Sequence, residues 1–190
     1  MAFFTIGEIF DMVVMTAVVG YIFSDVFKKP VRDDYDPLTH FKAGFDIENF
    51  KFAILVAAPA IILHELGHKF IALGFGLEAH FQAAWIFLGL ALLMKLMNFG
   101  FIFIVPAYVS IIGRASPLES SLIAFSGPAV NLALWLFAVL AAKKNFFPKK
   151  YDAALLLTSK INMFLFIFNM LPIPGFDGNA VFLGLIRAFF

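Results

Sequence analysis

Four apolar runs, each near or beyond the ~20 residues needed to cross the hydrocarbon of a bilayer, leave this chain few ways to fold. They cover residues 3–27, 50–75, 118–142 and 153–171. In lipid every backbone N–H and C=O has to be satisfied inside the protein, which restricts a spanning segment to a helix or a closed barrel. Runs of this length specify helices. Composition agrees, with 62% of the 190 residues hydrophobic and 14% charged, against about 45–50% and about 25% in soluble domains. The expected fold class is an all-α integral membrane protein, a multi-pass bundle of about four to five transmembrane helices. The N-terminus lacks the basic region and small-residue cleavage site of a secretory signal, so its run reads as a retained helix. The net charge of +1 says nothing about nucleic acid, but no basic cluster is set among stacking aromatics, and no nucleic-acid partner is expected. Cysteine is absent, which removes disulfides, thiolate zinc ligands and a cysteine nucleophile.

The chain reads as one transmembrane domain, 1–190, with a first helix at 1–27, a second at 50–75, further helices at 118–142 and 153–178, and a separate excursion at 83–112. A polar loop, 28–49, joins the first two, and a basic turn, 143–150, precedes the last. The 83–112 stretch is apolar, yet Lys95, Asn98, Gly100 and Pro106 interrupt it. Thirty residues are too few for two crossings. If His64 and Asp177 serve one metal, the exits of their helices share a membrane face, so this stretch must return to the side it left. It is therefore expected to be re-entrant or interfacial, part short helix and part extended at Phe99–Val105, a β-like piece tolerated at depth only beside protein or a wet cavity. The Lys/Arg-rich loops fall on the opposite face, which the positive-inside rule makes cytoplasmic; the acidic residues among them leave orientation open. The run from Ala180 to Phe190 is too short to span, and the sequence leaves open whether further helices follow it.

Inside the second apolar run stands His64-Glu65-Leu66-Gly67-His68. Residues four apart share a helix face, so His64 and His68 can direct ring nitrogens at one zinc ion, with Glu65 close enough to act on water there. Such a cluster is expensive in hydrocarbon and marks a functional site. A catalytic zinc takes three protein ligands, and the best third candidate is Asp177, set between Pro172, Pro174, Gly175 and Gly178. Pro59, one turn before His64, can free a carbonyl near the site.

These fragments, with Ser126-Gly127-Pro128-Ala129-Val130-Asn131 and Asn169-x-x-Pro172-x-Pro174-x-x-Asp177-Gly178, resemble the site-2 protease family of intramembrane zinc metalloproteases. The match covers roughly residues 50–184 of the sequence, and the apolar insertion at 83–104 looks like an archaeal-type variant. The resemblance implies one zinc held by His64, His68 and Asp177, and Glu65 as general base. It implies hydrolysis of peptide bonds in transmembrane substrates, that is, regulated intramembrane proteolysis at the cell membrane. Asn169 matches the family's polar residue near the site. The family's Leu-Asp-Gly-Gly is Phe176-Asp177-Gly178-Asn179 here, so the second glycine of the turn is lost. Asn169 or Asn131 is positioned to hydrogen-bond an oxyanion. A substrate helix must unwind to be cut, and the extended Phe99–Val105 offers edge hydrogen bonds to hold it.

The alternative is a non-catalytic zinc-binding membrane protein or transporter on the same fold, which would have no need of Glu65. Aspartyl and rhomboid-type serine chemistry lack a second buried Asp and a Ser–His pair. Lys95, Lys160 and Asn162 read as packing or snorkelling residues, Gly127-Pro128 as a close helix contact, and His40 and His80 as solvated loop residues. Asn131 divides evenly between packing and the site.

Overall fold

Thr5 and Glu8 start the first helix, α1 (Ile6–Phe23), each side chain accepting from the other's backbone N–H. The computed structural model describes residues 3–28, 45–99 and 105–190. Asp46 then caps α2 (Ile47–Gly74) by accepting from the N–H groups of Glu48 and Asn49. A strand β1 (Glu78–Ala83), a short helix α3 (Trp85–Leu96) and a strand β2 (Ala107–Ile112) follow. Ser116 and Glu119 repeat the reciprocal cap at α4 (Pro117–Lys143). A single 3-10 turn leads into α5 (Asp152–Asn169), and α6 (Asp177–Phe189) closes the described chain. Among the described residues, α1, α2, α4 and α5 with its leading turn are long and apolar enough to cross a membrane. At 1.5 Å per residue, the 28 residues of α2 reach about 42 Å, more than the ~30 Å hydrocarbon layer. Outward-facing Phe10, Leu55, Leu140 and Ile167 stay exposed, as a lipid-facing surface requires. The fold is mostly helical, with one small two-stranded sheet among the described residues.

That sheet is antiparallel and sets Glu78 opposite Ile112 and Ala83 opposite Ala107. The segment between therefore ends beside its own beginning. The strands lie at 78–83 and 107–112, outside the stretch expected to be extended; of that stretch, residues 100–104 fall outside the described chain, as do residues 29–44 with His40. His80 belongs to β1, opposite Ser110 and half-buried, and not to a solvated loop. Six residues of mixed polarity gave no sign of this, because their partner is about thirty residues away.

The acids that interrupt the first apolar run have a structural task. The Glu8 carboxylate accepts from the N–H of Phe81 at 2.7 Å, and Asp11 accepts from the N–H of Ala83 at 3.0 Å. Alternate N–H groups along the outer edge of β1 are thus satisfied without water. Glu8 also pairs with the ammonium of Lys69 on α2, buried to 2% exposure. Lys95 donates to the carbonyl of Ile22 at 3.1 Å and pairs with Asp25, joining α3 to the end of α1.

Gly67 sets the crossing of α2 and α4, since a methyl there would stand 2.8 Å from the carbonyl oxygen of Ser126. On the far side of α4, Gly184 of α6 lies against the Pro117 carbonyl, and the Ser121 hydroxyl donates to the carbonyl of Val181. These contacts bring α2 and α6 to one helix from opposite ends of the sequence.

Candidate metal centre

His64 and His68 lie on the buried face of α2, exposed by only 6% and 7%. Asp177 is the first residue of α6, in a helix that begins as soon as the Pro172–Gly175 turn ends. Gly175 takes φ +96°, and Gly178 lies where a methyl would meet the carbonyl oxygen of Met170 at 2.4 Å. The turn is therefore folded tightly back on the end of α5. Asn179, in place of the second glycine, still closes it by donating its N–H to the carbonyl of Phe176 at 3.2 Å.

The three side chains converge. Nε2 of His64 lies 3.1 Å from Nε2 of His68, and Oδ2 of Asp177 lies 3.1 Å from the first and 3.4 Å from the second. Ligands about 2.0–2.1 Å from a tetrahedral zinc stand about 3.3 Å from one another, so the spacing fits a single ion. Protonation fits as well. Nδ1 of His68 is 2.7 Å from the carbonyl of Ile123, which can only accept, so this nitrogen donates. Nδ1 of His64 is 2.6 Å from Oδ1 of Asn131, whose Nδ2 is committed to the carbonyl of Ala60 at 3.0 Å. Both rings in their neutral form thus turn a lone pair from Nε2 towards the Asp177 carboxylate. Three electron-rich groups at this distance call for a cation among them. They form the group of potential metal ligands found among the described residues.

Two α4 features serve the histidines. A methyl on Gly127 would lie 2.3 Å from Nε2 of His68 and 2.8 Å from Cε1 of His64, so no side chain is tolerated at that position. The Ile123 carbonyl, one turn before Gly127 on α4, takes both His68 and the hydroxyl of Ser126, the latter at 2.6 Å. Gly127-Pro128 is a close contact, as expected, but the contact is with the histidines themselves. On α2 the Ala60 carbonyl takes an outside partner, Nδ2 of Asn131; it is not the carbonyl that Pro59 frees, which is that of Leu55, four residues before the proline.

Glu65 is 9% exposed, and its carboxylate makes no hydrogen bond among the described residues. It is adjacent to the ligand group without belonging to it.

Two relatives carry the name "putative zinc metalloprotease". One, from Methanocaldococcus jannaschii, is 32% identical over 180 residues, which cover 94% of this chain and 84% of the relative. The other, from Synechocystis sp., is 30% identical over 127 residues, 67% of this chain and 29% of that longer protein. The chain belongs to this family of zinc metalloproteases. No family model and no solved structure matches it.

In this metalloprotease the residues singled out from sequence are divided by the fold. His64, His68 and Asp177 come together, with Glu65 beside them. Asn131, buried to 0% exposure, spends both ends of its amide: Oδ1 on His64, Nδ2 on Ala60 and on Asn162 Oδ1 at 2.9 Å. That engagement makes it a holder of His64 and leaves no donor for an oxyanion. Asn169 ends α5, half-buried and without a side-chain hydrogen bond among the described residues. Lys160 is exposed on α5. Gly178 was marked by its motif, but Ile123, Ser121 and Asn162 were not readable as site residues. Backbone carbonyls carry no chemical signature, and their roles arise only from which helices touch.

Proposed function

We propose that the chain is a multi-pass, intramembrane zinc metalloendopeptidase of the site-2 protease type, cutting peptide bonds within transmembrane segments of membrane-protein substrates. The observation that carries this reading is Glu65. Its side chain is largely buried and its carboxylate has no hydrogen-bond partner among the described residues, next to three converging metal donors, on a helix long and apolar enough to cross a bilayer. A purely structural or transported zinc would leave such a group without a task. No fully enclosed side-chain oxygen among the described residues lacks a partner, so the uncommitted Glu65 oxygens are open to the site, where water can meet them. The adjacency of Glu65 to the donors suits proton transfer.

Zinc held by His64, His68 and Asp177 would supply Lewis-acid chemistry, acidifying water and polarising a carbonyl. Glu65 takes the proton from the attacking water and hands it to the leaving amine as the C–N bond breaks. His64 and His68 keep their Nε2 lone pairs directed inward because Asn131 and the Ile123 carbonyl hold the opposite nitrogens. Asn169, with its amide uncommitted at the start of the turn to Asp177, is the candidate donor to the oxyanion. Four helices among the described residues, long and apolar enough to cross a membrane, support the reading of a transmembrane substrate.

The test is zinc content together with cleavage of a transmembrane reporter in detergent, for the parent and for Glu65→Gln. One zinc in each with cleavage by the parent alone is the expected result. A parent that binds zinc but cuts no transmembrane reporter, or a Glu65→Gln variant that cuts as well as the parent, refutes the proposal.

A further inference from the structure

The fourth membrane-length helix is buried in an unusual way. Among the 18 residues of α5, mostly apolar, the one that is fully buried is Asn162, at 0% exposure. An asparagine in that position is costly unless every polar atom finds a partner, and here they do. Nδ2 of Asn162 donates to the carbonyl of Thr158 at 2.8 Å, one turn back on its own helix. That bond fixes which end of the amide is which, so Oδ1 faces α4 and accepts from Nδ2 of Asn131 at 2.9 Å. Asn131 Oδ1 in turn accepts from Nδ1 of His64 at 2.6 Å. A directed line of hydrogen bonds therefore runs from the backbone of α5 through α4 to a ligand on α2.

We propose that Asn162 is a positioning residue for the metal centre, acting on His64 through Asn131. It takes the second proton of the Asn131 amide, the one that Ala60 does not. In doing so it holds that amide in the plane that presents Oδ1 to His64, and His64 keeps its Nε2 lone pair aimed at the metal. Removal of Asn162 leaves a buried N–H unsatisfied and frees the Asn131 amide to turn away. The carbonyl of Ala60 still restrains it, so the effect is smaller than loss of Asn131 itself. Packing alone does not account for Asn162, because leucine fills a similar volume and would suit the apolar neighbours of α5 better. The proposal rests on the zinc reading of the site and extends it to a residue outside every recognised fragment.

The experiment measures zinc affinity of the purified, metal-stripped full chain by competition with a chromophoric chelator. It compares the parent, Asn162→Leu, Asn162→Asp, Asn131→Leu and the double Asn131→Leu/Asn162→Leu variant. Outer-shell partners of a metal ligand commonly contribute 10–100-fold in affinity, so Asn162→Leu is expected to weaken zinc binding by about tenfold. Asn162→Asp keeps an oxygen acceptor facing Asn131 and is expected to restore most of the loss. In the Asn131→Leu background, Asn162→Leu is expected to add little, because the connection is already cut. Should the leucine variant fail to fold, Asn162→Ala serves the same comparison. Affinity unchanged in Asn162→Leu, an equal loss in Asn162→Asp, or a full additional loss in the Asn131→Leu background overturns the relay while leaving the metal centre intact. A parent that binds no zinc overturns the metal centre and the relay with it.

Discussion

Gly127→Ala adds one methyl at the point where α4 touches both histidine ligands, and the outcome can be worked from the distances. The new carbon would stand 2.3 Å from Nε2 of His68, 2.6 Å from its Cε1 and 2.8 Å from Cε1 of His64. Non-bonded heavy atoms pack at about 3.5 Å, so the His68 ring has to retreat by about 1.2 Å. It cannot do so freely, because its Nδ1 is tied to the Ile123 carbonyl on the same helix as the intruding methyl. Metal–ligand distances tolerate only about 0.2 Å, and the collision reaches two ligands at once. Zinc affinity should therefore fall by about 100-fold, the upper end of what outer-shell changes cause. Folding is affected less. Alanine is about 1 kcal/mol better than glycine in a helix, which offsets part of an overpacking cost of about 1–3 kcal/mol. The assay is zinc competition beside thermal unfolding of the metal-stripped protein, with Gly89→Ala as control, since a methyl there meets nothing within 4 Å. A Gly127→Ala protein that folds and binds zinc as tightly as the parent would refute the placement of the rings.

Other changes test other parts of the same arrangement. Gly178→Ala sets a methyl 2.4 Å from the Met170 carbonyl; it should displace Asp177, weaken zinc binding and destabilise the fold by about 1–3 kcal/mol, read by zinc competition and thermal unfolding. Asn131→Leu removes the acceptor for His64 Nδ1 and should lower zinc affinity about 10–100-fold with α2 and α4 still packed, read by chelator competition and circular dichroism. Glu8→Ala leaves the ammonium of Lys69 buried without its partner, and loss of one member of a buried ion pair costs about 3–5 kcal/mol; thermal unfolding should report a large drop, whereas Glu48→Ala at the exposed Lys51 pair should move little.

Much of this protein was determined by the sequence alone. Runs of membrane length had to become helices because lipid offers backbone groups no partner. Their starts were read only to within a few residues; the structure sets three of them at the caps Thr5, Asp46 and Ser116. His64 and His68 had to share a face, because helical periodicity is local. Asp177 was legible as the third ligand only by its surrounding helix breakers and by the resemblance of the fragments. What the tertiary structure decided is whatever depends on contacts between elements far apart in the chain. It paired residues 78–83 with 107–112 and turned Glu8 and Asp11, apparent flaws in an apolar run, into acceptors for a strand edge. It assigned Asn131 to His64, where the sequence offered packing and catalysis equally. It gave Gly127 and the Ile123 carbonyl their places against the ligands and joined Asn162 to the centre. A side chain's type fixes which bonds it can make, but partners 30 to 70 residues away are chosen by how helices cross, and that choice appears only once the helices are packed.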